Sequence, residues 1–106
     1  MGNALVPFGG VTEYRRPQRP VENPGEILGI HISVHPDALH AISEKIANWF
    51  HGRDEVDVVD VGVSDKVGIG YIIMEWLEYD IDPLFLAILR DEEAIADYAV
   101  YEREVL

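Results

Sequence analysis

The sequence predicts an α+β domain, an antiparallel sheet with two helices on one of its faces. Three observations carry that prediction. Apolar and polar residues alternate through 27–35. Apolar residues recur at helical spacing between 36 and 51. Two valine- and isoleucine-rich runs flank a short Ser64-Asp65-Lys66 turn, the pattern of a hairpin.

The elements follow in order. In 27–35, Leu28, Ile30, Ile32 and Val34 share one parity, and Gly29, His31, Ser33 and His35 the other, as in a strand buried on one side. Pro36 stands where a first helical position would be, with Asp37 in the first turn, favourable to the helix dipole. Leu39, Ile42, Ile46, Trp49 and Phe50 give a helix over about 36–51 its apolar face, and Gly52 is its natural stop. In 55–63, Val56 and Val58 have one parity and Val59, Val61 and Val63 the other, so the strand is expected to bulge or to be buried in part on both faces. A third strand is expected from Val67 to about Tyr79. Asp82-Pro83 starts a second helix, with Asp82 as N-cap and Leu84, Phe85, Ile88 and Leu89 as apolar face. After Arg90 a continued helix competes with a strand, and the density of Tyr and Val favours the strand.

The resulting order, β-α-β-β-α-β, is that of a ferredoxin-like sandwich. Residues 1–26 read differently. Pro7, Pro17, Pro20 and Pro24 with Gly2, Gly9, Gly10 and Gly25 leave no helical or strand period, so an extended, partly disordered arm is expected, followed by one domain over 27–106. The arm's Arg15-Arg16-Pro17-Gln18-Arg19-Pro20 run is basic and contains a Pro-x-x-Pro spacing. It fits a solvated tail, a recognition peptide, or a segment lying on the acidic body of its own or a neighbouring chain.

At 106 residues, 48% apolar, the chain can build one core without staples. It has no cysteine, which excludes disulfides, thiolate metal sites and a Cys nucleophile. The net charge of −12 lies wholly in residues 27–106, because three arginines and three glutamates balance in the arm. Such a field repels nucleic-acid backbones and anionic membranes. Direct nucleic-acid binding by the core and membrane association are therefore not expected. Adaptation to high salt would leave the same composition. The first residues do not read as a secretory leader, and no apolar run reaches the ~18 residues of a membrane span. A cytoplasmic protein is the expectation.

Ligand-binding candidates are His31, Ser33 and His35, which share the parity turned away from the apolar face. One metal ion cannot take both histidines, since positions four apart in a strand are about 13 Å apart at ~3.3 Å per residue. His35 reads rather as the cap of the helix that begins at Pro36. The carboxylates Asp80 and Asp82 lack the rest of a calcium-binding loop, and Gly68-Ile69-Gly70 precedes a strand, not the helix a phosphate loop needs. No metal site and no cofactor is expected. No P-loop, nucleophile elbow or zinc-protease motif occurs. Val59, Val61, Val63, Ile72 and Met74 exceed what two helices can cover, so part of this surface is expected on the open face as a homo-oligomer interface. The reading is a small acidic oligomeric binding or regulatory module for a protein or small ligand. Its alternatives are a small enzyme using a histidine on the open face, and an acidic nucleic-acid mimic that binds a basic protein.

Overall fold

The structure, a computed structural model, describes residues 25–77 and 79–104. The arm expected over 1–26 therefore lies almost wholly outside the described residues. Gly25, at φ 89°, makes the turn into the sheet, in a backbone region that glycine enters without steric cost.

Four strands and two helices follow: β1 (Glu26–Val34), α1 (Leu39–Trp49), β2 (Val56–Val63), β3 (Gly70–Leu77), α2 (Pro83–Asp91) and β4 (Ile95–Glu104). The strands form one antiparallel sheet in the order β2-β3-β1-β4. The longest-range pairing, β1 with β4, resolves the ambiguity after Arg90 in favour of a strand. Among the described residues, no helix is long and apolar enough to cross a membrane.

Pattern becomes packing at the two central strands. Ile30, Ile32 and Val34 of β1 and Ile72, Met74 and Trp76 of β3 are buried in one cluster with Ile42, Ile46 and Trp49 of α1, Phe50 beyond it, and Phe85 and Leu89 of α2. Phe50 lies edge-on to both Trp76 and Phe85, with centroids 6.1 and 5.2 Å apart, the arrangement that aromatic quadrupoles prefer. Arg53 sits 4.9 Å over the Trp49 ring, a cation–π contact. Lys45 Nζ donates to Glu92 Oε1 at 3.0 Å and ties α1 to the end of α2.

Helix ends follow local chemistry. The Asp82 carboxylate accepts from the Leu84 N–H at 2.9 Å, as expected of an N-cap. The start of the first helix differs from expectation. Pro36–Ala38 is a single 3₁₀ turn and the α-helix begins at Leu39. His35 offers no side-chain cap, so its expected role is not found. Its backbone serves instead: the carbonyl accepts from the Ala38 N–H at 2.9 Å and the N–H donates to the Ala94 carbonyl at 3.0 Å. Gly52, at φ 76°, ends this helical region as expected.

The third strand starts later than its apolar pattern suggests. The Ser64 N–H donates to the Ile69 carbonyl and the Gly68 N–H to the Ser64 carbonyl, which closes Ser64–Ile69 into the hairpin loop. The phase slip in β2 is a bulge, with the register shifting between Val58 and Asp60.

Candidate functional site

The bulge decides which residues reach the open side of the sheet. Before it, Val56 and Val58 pair with Trp76 and Met74; after it, Val61 and Val63 pair with Ile72 and Gly70. All four valines thus take the helix side, while Asp57, Asp60 and Gly62 turn to the open side. The open face therefore carries polar and aromatic side chains beside Ile27, Ile73 and Leu77, not the valine-rich surface expected. Ile72 and Met74 lie in the core at 2% and 0% exposure, closed to any partner. Val59, Val61 and Val63 are 52%, 43% and 48% exposed along the β2 edge, which the helices leave uncovered.

Two rows of side chains cross the open face. In the first, the Tyr71 hydroxyl donates to Asp60 Oδ2 at 3.2 Å, and His31 stacks beside Tyr71 with centroids 6.0 Å apart and planes 14° from parallel. In the second, the Tyr101 hydroxyl donates to Glu75 Oε2 at 2.5 Å, while Arg103 donates to both Glu75 oxygens at 2.9 and 2.8 Å, a bidentate pair. Each row lies over a glycine. Tyr101 covers its cross-strand partner Gly29, and Tyr71 covers its partner Gly62; a Cβ at either position would run into the ring.

Electrostatics follow from these contacts. The Arg103 hydrogen bonds hold the Glu75 carboxyl below its ordinary range, with Tyr101 assisting and burial opposing. Burial, then the Glu75 carboxylate, pushes Tyr101 up to about 12. The Asp60 charge is the largest cause holding Tyr71 above its usual value, followed by burial. Both tyrosines are hydroxyl donors at neutral pH rather than bases. Carboxylate oxygens and aromatic faces are among what the surface offers to a visitor, and both attract cations.

Of the three candidates read from the sequence, the open face unites two. His31 is exposed, and Ser33 stands in register between Tyr71 on β3 and Asp97 on β4. His35 lies beyond the end of β1, exposed. Among the described residues, no three His, Asp or Glu side chains gather into a metal-binding group. Sequence reasoning missed Asp60, Tyr71, Glu75, Tyr101 and Arg103 as one surface. A signal existed in Gly29 and Gly62, since a glycine inside a strand marks the close approach of another group.

Compared with known proteins, the chain shows no significant match to a family model, to a curated protein or to a solved structure.

Proposed function

We propose that this chain is a small acidic binding module of ferredoxin-like arrangement that works as an oligomer and takes a basic segment of a partner protein on its open sheet face. The β2-β3-β1-β4 order with antiparallel neighbours throughout supports the arrangement, since a split β-α-β unit inserts one strand between its two parallel strands.

The observation that carries the binding role is the charge of the open face. Asp57, Asp60 and Asp97 project from it exposed, while Arg103 is already engaged by Glu75. Tyr71 and His31 add ring faces beside Asp60, a setting in which a guanidinium gains both an ion pair and a cation–π contact. Carboxylates also stand on the helices and on the other side of β4, at Glu44, Asp91 and Glu102. That scatter favours a short basic segment over the long nucleic-acid groove that a mimic would fill.

Calorimetric titration with a tetra-arginine peptide, against tetra-glutamate, tests the reading. Binding is expected to the arginine peptide alone and to weaken with salt. The double variant Asp60→Asn, Asp97→Asn is expected to weaken it about tenfold, equivalent to ~1.4 kcal/mol. The control pair Asp91→Asn, Glu93→Gln changes the net charge equally and leaves the open face intact. Equal loss in both pairs would reduce the effect to bulk charge and overturn the proposal.

A further inference from the structure

We infer that Tyr71, Asp60 and His31 form a seat for an arginine side chain of the partner in preference to a lysine, with Tyr71 as the residue that makes the distinction. The inference rests on the basic-segment reading above and names the side chain that reading leaves open.

The second row of the open face shows how this sheet holds a guanidinium. The Tyr101 hydroxyl donates to Glu75 Oε2, the Tyr101 ring covers Gly29, and Arg103 donates to both carboxylate oxygens. The first row repeats three of these four parts. The Tyr71 hydroxyl donates to Asp60 Oδ2 at 3.2 Å, and the end of the Tyr71 ring covers Gly62. Among the described residues Asp60 enters no ion pair, and it is exposed. The tyrosine, glycine and carboxylate that accompany an arginine in one row thus recur in the other, where an arginine from outside can reach them.

The seat is built before a partner arrives, which lowers the cost of ordering it on binding. The hydroxyl bond orients the Asp60 carboxylate. Gly62 makes room for the ring, since a Cβ there would stand 2.8 Å from the Tyr71 hydroxyl oxygen and 3.1 Å from the carbon that bears it. His31 stacks beside the ring, with planes 14° from parallel. The charge of the face attracts either basic side chain, but its geometry favours one. A guanidinium is planar, weakly hydrated, lies against aromatic rings and presents a fork that matches a carboxylate. An ammonium is a compact, strongly hydrated point charge. A cation in contact with Asp60 can also come within the ~6 Å of the Tyr71 ring centre at which cation–π attraction acts, because the phenol oxygen joins ring to carboxylate.

Calorimetric titration of the full chain with tetra-arginine and with tetra-lysine, at the same near-physiological salt, reads the preference. Tetra-arginine is expected to bind about fivefold more tightly. Tyr71→Leu is expected to bring the two affinities within about twofold, and Tyr71→Phe, which keeps the ring, to preserve most of the difference. Gly62→Ala alters no charge, yet it is expected to push the Tyr71 hydroxyl off Asp60 and to narrow the gap as well. Circular dichroism of each variant confirms folding. Proton resonance on the unsubstituted chain needs no variant: the Cδ protons of bound tetra-arginine are expected to move upfield beside the ring. Equal affinities for the two peptides, unmoved Cδ protons, or a preference that survives Tyr71→Leu would overturn the arginine seat while the basic-segment reading stands. A chain that binds neither peptide overturns both.

Discussion

Glu75 is the most connected side chain of the open face. It is 12% exposed and takes hydrogen bonds from Tyr101 and, twice, from Arg103. The sign of its pH effect follows. Its carboxyl is held below the ordinary range in the fold, so its contribution is present above the unfolded pKa of about 4.3 and is lost as pH falls through the lower folded value. Tyr101 acts at the other limb. Its folded value of about 12 exceeds the unfolded value near 10, so stability is intact below pH ~10 and declines as pH rises toward the folded value. Glu75→Gln is expected to cost about 1 kcal/mol at pH 7, the scale of a partly solvated charged hydrogen bond. It is also expected to bring Tyr101 ionisation back toward pH 10. Ultraviolet titration of tyrosinate at alkaline pH, compared with a Tyr101→Phe chain, reads that shift. An unmoved Tyr101 would show that burial alone raises it.

At the scale of elements, local chemistry set the boundaries that proved readable. Asp82-Pro83 is an N-cap followed by a proline in the first turn, and the helix begins there. Asp82→Ala is expected to lose about 1 kcal/mol of stability, measured by urea denaturation, with little change in the slope of the transition. The alternation of β1 was legible because one side is fully buried, and the slip at Val58-Val59 was legible as a bulge. Its consequence was not. Which parity faces the helices after a bulge depends on pairing with β3, a tertiary contact that no local pattern contains. That is why Val61 and Val63, counted in a surface expected in part on the open face, stand on the helix side of the β2 edge. The 3₁₀ turn at Pro36–Ala38 escaped for a smaller reason: proline fixes its own φ but does not specify whether the turn closes on the third or the fourth residue.

At the scale of the molecule, the open face is assembled from all four strands, and this limits what the sequence can disclose about it. His31 and Ser33 share a strand and were found by parity. Asp60 with Tyr71, and Glu75 with Tyr101 and Arg103, meet only through sheet register, the second group across β3, β1 and β4. The −12 charge supplies a general field, whereas the register concentrates carboxylates and rings where a cation could use both. The proposed binding role belongs to this face and not to the acidity as a whole. Amide chemical-shift mapping on isotope-labelled protein, titrated with tetra-arginine peptide at near-physiological salt, addresses it most directly. Shifts are expected to concentrate at Asp57, Asp60, Tyr71, His31 and Asp97. Shifts spread evenly over the acidic surface, or centred on α1 and α2, would contradict it.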